Sequence, residues 1–216
     1  MGRLAVFGAG GTLGRMVVGE ARGRGLEVSA AVRAPDRHGD LARDGVTVVR
    51  GDATDAASVA DASRGHDAAI ASLYQERVPH DVFYAAAAAA LLEGLAAAGV
   101  GRLVVVGAAP NLETEPGARL MDGPDFPAEY LPFAYGHTAA LHVLRAARSP
   151  VDWLMLTPPF VLDRDGPRTG DYRLGQDQVL VGPEGPTGLS YADLAIALVD
   201  EAQTPTRHRT RAAVAR

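Results

Sequence analysis

A short apolar run, Arg3–Phe7, passes directly into Gly8-Ala9-Gly10-Gly11-Thr12-Leu13-Gly14, and a helical pattern over Gly11–Arg22 follows at once. Glycines at such a junction permit a tight turn and bring backbone N–H groups close to a bound anion. The helix N-terminus adds unpaired donors and the positive end of its dipole. Gly14 lets the helix pack closely on the strand. Strand, turn and helix in this order, with the spacing Gly8-x-x-Gly11-x-x-Gly14, form a pyrophosphate cradle. Gly8, Gly10, Gly11 and Gly14 are the glycines expected to shape a dinucleotide site.

The rest of the chain repeats the alternation that such a unit begins. Strands are expected at Arg3–Phe7, Glu27–Val32, Thr47–Arg50, Ala68–Ala71, Arg102–Val106 and Trp153–Thr157. Helices are expected at Gly11–Arg22, Ala57–Ser63, Asp81–Ala98, Phe133–Ala147 and Tyr191–Glu201, with Gly99 past the end of the third and Ser190 with Asp193 starting the last. Alternating βα units predict an α/β fold of the Rossmann type, a doubly wound parallel sheet covered on both faces. A length of 216 residues suits one domain over 1–216, at roughly 100–200 residues per domain. Two stretches break the rhythm. Asn111–Pro132 carries Pro116, Pro124, Pro127 and Pro132, and 163–188 is glycine-rich and polar, with a hairpin expected from Asp171–Leu174 and Gln178–Val181. Both are read as substrate-side segments, because long irregular connections are usually functional.

The end of the second strand selects the nucleotide. An acidic residue there would accept from the ribose 2′-OH of NAD, but this chain reads Val32-Arg33-Ala34-Pro35-Asp36-Arg37. Arg33 can fork onto a 2′-phosphate with Arg37 assisting, so NADP(H) is the expected cofactor. After the third strand, Asp52 is placed for the adenine amine, and Asp55 for capping the next helix.

Composition removes several chemistries. All 21 basic residues are arginine, and there is no lysine or cysteine. Schiff bases, thiolate nucleophiles, disulfides and the Walker lysine are therefore excluded. A net charge of −5 offers nothing to nucleic acid or an anionic membrane, so a small molecule is the expected partner. The alanine run Ala85–Ala90 reads as helix rather than a membrane span, and the apolar stretch before Gly8 is short for a signal peptide. A cytoplasmic protein, monomer or homodimer, is expected. His137 and His142 are five residues apart and fall on different helical faces, so no metal site is expected.

With these pieces placed, the chain resembles the atypical short-chain dehydrogenase/reductases, in the NmrA-like, NAD(P)H-binding subgroup that includes biliverdin reductase B-like flavin reductases. The similarity spans the whole chain. It rests on Gly8-x-x-Gly11-x-x-Gly14, Val32-Arg33, Gly51-Asp52-Ala53-Thr54-Asp55, Ala98–Gly107, Pro124–Tyr130, Val151-Asp152-Trp153 with Pro158-Pro159, and Arg168–Arg173. The resemblance implies that Thr12 and Leu13 join Gly8, Gly11 and Gly14 at the pyrophosphate, that Asp52 and Ala53 take the adenine, that Ser72, Leu73 and Tyr74 line the nicotinamide ribose, and that Pro158 and Pro159 lie near the nicotinamide, with Gly107 a further cofactor contact. Standard members of the superfamily use a Tyr-x-x-x-Lys pair, the tyrosine donating a proton and the lysine lowering its pKa, with a helper serine. In the implied alignment Phe133 stands at the tyrosine position, His137 at the lysine position, and Ala108 or Ala109 at the serine position. His137, Tyr130 and Tyr135 are the candidate proton donors. The expectation is an NADP(H)-dependent reductase of a small conjugated, quinone-, flavin- or carbonyl-type substrate. A dinucleotide-binding redox sensor, or a non-redox isomerase or cyclase on the same fold, are the alternatives.

Overall fold

The computed structural model describes residues 2–183 and 185–216. Eight strands form one sheet: β1 Arg3–Phe7, β2 Glu27–Val32, β3 Val46–Arg50, β4 Ala68–Ala71, β5 Arg102–Val106, β6 Asp152–Thr157, β7 Arg173–Leu174 and β8 Thr210–Ala215. Their spatial order is β7-β8-β6-β5-β4-β1-β2-β3. All neighbours are parallel except β7 on β8. Five helices connect them: α1 Thr12–Gly23, α2 Ala56–Ser63, α3 His80–Ala98, α4 Leu131–Ala146 and α5 Tyr191–Gln203.

The period of two along each strand builds two cores. Leu4 and Val6 of β1 point toward α1 and α5, where Val17, Leu194 and Leu198 are buried. Ala5 and Phe7 point the other way, onto Leu91, Leu95, Leu141 and Leu144 of α3 and α4. α3 is long and apolar enough to cross a bilayer, but its length is spent packing between α2 and α4. The helix ends follow local chemistry. Asp55 accepts from the Ala57 and Ser58 N–H groups to start α2. Ser190 accepts from Asp193 N–H to start α5. Gly99 closes α3 at φ 75°, the left-handed region that glycine adopts cheaply. Pro132 sits in the first turn of α4, where its missing N–H costs nothing, and moves that helix two residues ahead of the expected Phe133.

Two expectations are corrected. Arg173–Leu174 does not form a hairpin with Gln178–Val181. It pairs with Ala215 and Val214, while Val181–Gly182 turns back onto Gly185–Pro186. The reason is β8, which the sequence did not announce because Thr-Arg-Ala-Ala-Val-Ala carries few β-branched residues. β8 extends the sheet beside β6 and offers Arg173–Leu174 its free edge, so that the segment joins the main sheet instead of a local turn. The Asn111–Pro132 stretch is also more ordered than its prolines suggest. A short ladder joins Glu113–Glu115 to Ala118–Arg119, with 3₁₀ turns at Leu120–Asp122 and Ala128–Tyr130. The two irregular segments are joined by backbone bonds from Glu113 N–H to Asp177 O and from Val179 N–H to Glu113 O.

At the amino ends of the strands, the buried Arg102 guanidinium bridges Asp152 at 2.7 Å and the buried Glu201 at 3.1 Å. The carboxyl ends carry the site.

Candidate functional site

A cleft of about 880 Å³ opens over the carboxyl ends of the sheet. It lies where β1 sends its helix to one face and β4 sends its helix to the other, the switch point at which doubly wound sheets bind ligands. The glycine turn forms its floor. Gly8 has φ 77°, and a Cβ there would stand 2.0 Å from the Ser72 carbonyl oxygen. A Cβ on Gly14 would stand 2.1 Å from the Gly8 carbonyl oxygen, so Gly14 sets the approach of α1 to β1 and is not itself on the cleft wall. Gly11 caps α1 with no side-chain acceptor, and the first turn holds no acid. α2 and α5, by contrast, begin on Asp55 and Ser190. The bare start of α1 thus keeps backbone donors and the dipole for an incoming anion, which fits a dinucleotide pyrophosphate.

At one end of the cleft stand Arg33, Asp52 and Ala53, as the sequence predicts. Asp52 accepts from Thr54 N–H at 2.9 Å and from its hydroxyl at 2.7 Å through one oxygen. Arg37 lies in a 3₁₀ turn and does not line the cleft, because Pro35 turns the chain away after Arg33. His38 takes that place. Its ring rests where a Gly10 side chain would be, 2.5 Å from a built Cβ, and Arg15 lies beside it, hydrogen-bonded to Gly10 O and paired with Asp40. Nothing in the sequence marked His38, since only the packing over Gly10 brings it in.

At the other end stand Ser72, Leu73, Tyr74, Gly107, Pro158 and Pro159, all expected, with Ala108, Phe133, Tyr130 and Phe160. Gly107 leaves room for Thr157, whose hydroxyl would lie 2.3 Å from a Cβ. Of the three candidate proton donors, only Tyr130 lines the cleft. Tyr135 points out beside Pro132 and His80, away from it. His137 is corrected more strongly. It is 4% exposed and lies behind Phe133 and Tyr84, at ring distances of 4.6 and 4.1 Å. Burial pushes its pKa down to about 3, with the neighbouring His80 adding to the effect. It is a neutral core side chain, shielded from the cleft by Phe133. Tyr74 donates to Glu76 at 3.1 Å, and that bond raises its pKa and makes it a poorer acid. No cluster of three metal-ligating side chains occurs among the described residues.

A doubly wound sheet with an uncapped glycine turn at its switch point defines a dinucleotide-binding α/β protein. Residues 8–205 match the NAD(P)H-binding family, and the chain belongs to it. The Bacillus subtilis (strain 168) protein YwnB is 33% identical over 211 residues, covering 97% of this chain and 96% of that protein. Among solved structures, a candidate exported protein of Burkholderia pseudomallei superposes with a TM-score of 0.88 at 34% identity, covering all of both chains. A candidate NADH-flavin reductase of Streptococcus pneumoniae TIGR4 superposes at 0.85 with 29% identity, over 100% of this chain and 99% of that one.

Proposed function

We propose that the protein is an NADPH-dependent reductase of a small conjugated or quinone-like acceptor. The observation that carries this reading is Phe133. A ring without an acidic proton stands on the cleft wall at the position where standard members of the superfamily carry their tyrosine acid, and the residue at the lysine position is a buried neutral histidine. A simple ketone needs a proton delivered as its alkoxide forms. A quinone, flavin or activated conjugated carbonyl gives a stabilised anion that water can protonate. Bound reduced nicotinamide supplies a hydride, that is two electrons and one proton, and the second proton of a hydroquinone comes from water. The chain's own residues hold the pyrophosphate at Gly11–Leu13, clasp the adenosine end at Arg33 and Asp52, and confine the acceptor between Tyr74, Tyr130, Phe133 and Pro159. The likeness to a candidate flavin reductase supports a redox role.

NADPH is preferred to NADH in this reading because Arg33, rather than a carboxylate, follows β2. The partner is a small molecule. The protein works as a monomer or homodimer in the cytoplasm, where the reduced dinucleotide pool is held. The direct test is NADPH oxidation, followed by absorbance, with para-benzoquinone, flavin mononucleotide and an activated conjugated carbonyl. Turnover well above background is expected with the quinone. Background rates with all three would overturn the proposal. Substrate conversion without NADPH consumption would point instead to an isomerase, and tight binding with no conversion of any kind to a sensor.

A further inference from the structure

A second cavity of about 450 Å³ adjoins the cofactor cleft and shares Ala109, Pro159 and Phe160 with it. Its walls come from the two irregular segments and the sheet edge: Leu120 and Phe126 on one side, Val179 and Leu180 on the other, Val214 of β8 beneath. The segments keep this shape because Glu113 is bonded to Asp177 and Val179, and Asp177 is held by the buried Arg211 at 2.8 Å. Thr187 lines the cavity, but its hydroxyl already donates to Leu180 O at 3.2 Å. Asp125 is the one charged residue among the described lining residues, and it is exposed. Phe160, 55% exposed, stands between the two spaces, edge-on to Tyr130 at 6.0 Å and Phe126 at 6.4 Å. Val161, next to it in the chain and also on the cavity wall, is likewise more than half exposed. Apolar surface left open around a preformed concavity, next to a reaction cleft, marks where a ligand supplies the missing contacts.

We infer that this cavity is an acceptor subsite for an uncharged apolar extension, an alkyl chain or a fused ring, carried by a substrate whose reducible ring lies at the Phe160 threshold. The inference rests on the reductase reading and narrows it. A lipophilic quinone or a chain-bearing enone fits the cavity. A flavin mononucleotide does not, since no cation among the described lining residues meets its phosphate and Asp125 would repel it.

Two measurements on the full chain test this. The first is binding of the uncharged fluorophore N-phenyl-naphthylamine without nucleotide, and its displacement by a pentyl-substituted benzoquinone. The second compares kcat/KM for para-benzoquinone and its pentyl derivative, with NADPH, in the wild type, Leu180→Asp and Phe126→Ala. NADPH affinity serves as the fold control for each variant. The expected result is probe binding displaced by the pentyl quinone and at least about a tenfold preference for that quinone. That preference falls to about twofold or less in either variant that retains NADPH affinity. Equal kcat/KM for the two quinones in the wild type would overturn the subsite while leaving the reductase intact, as would a preference that survives both substitutions. Turnover of neither quinone, together with background rates for flavin mononucleotide and the activated carbonyl, would end the reductase reading, and probe displacement by the pentyl quinone would then decide whether the cavity takes an apolar ligand. A stable dimer by sedimentation that binds no probe would assign the apolar surface to a second copy of the chain and overturn the inference.

Discussion

Phe133 and His137 show how a one-turn spacing can be read correctly and still mislead. The alignment placed both on α4 as the structure has them, but sequence does not say which of two stacked rings faces a cleft and which faces the core. Burial makes His137 a stability group instead. Its folded pKa lies near 3, below its ordinary value of 6.5, so between those values the unfolded chain binds a proton that the folded chain refuses. The contribution is whole above about pH 6.5 and is lost as the pH falls toward 3, at up to about 1.4 kcal/mol per pH unit. Urea melts across this range should show a shallower acid-side loss in His137→Leu than in the wild type; parallel curves would refute the assignment. Arg33 makes the opposite case, a residue whose place on the cleft wall was legible because it follows β2 directly. Arg33→Glu is expected to weaken NADPH by at least about 1.5–3 kcal/mol in titration calorimetry while changing NADH much less. Equal losses would defeat the preference for the phosphorylated cofactor.

Elements were legible where a period or a cap repeats. β1, β2, β4 and β5 match their expected bounds, and Asp55, Gly99 and Ser190 end or start helices as their types demand. What was hidden is order imposed from a distance. Thr169 and Gly170 sit in a stretch with no period, yet the carboxylate of Asp193 on α5 accepts both of their N–H groups at 2.8 Å and the Thr169 hydroxyl at 2.7 Å. Arg168 beside them pairs with Glu20 of α1 at 3.0 Å. No local rule announces a loop pinned through a residue twenty-four positions later. Asp193→Ala should release it. Limited trypsinolysis, which in a chain without lysine cuts at arginine, is then expected to cleave after Arg164 or Arg168 several-fold faster than in the wild type. Unchanged cleavage would mean that Glu20 alone holds the segment.

Across the whole molecule the two ends of the sheet do different work. The carboxyl ends keep backbone donors and apolar surface open to ligands, whereas the amino ends close on Arg102, Asp152 and Glu201. Arg102→Leu leaves Glu201, only 2% exposed, without its cation. Removing one partner of a buried pair typically costs about 3–5 kcal/mol. Thr206 and Arg207 N–H groups still bond Glu201, which places the expected loss, read by urea unfolding, at about 3 kcal/mol. NADPH affinity at saturating fold should be unaffected, and a variant as stable as the wild type would show that Glu201 is satisfied by those bonds alone.

The position of β8 gives the molecule a timetable. It slots between β6 and β7 although it follows both in the chain, and Ala213–Ala215 form part of the second cavity. The lining of the dinucleotide cleft, by contrast, runs no further than Tyr191. A ribosome releases these parts in that order. During synthesis every lining residue of the first cleft is therefore made before the strand that floors the second cavity, so a chain stopped short of Thr210 would carry the walls of the one space and lack part of the other.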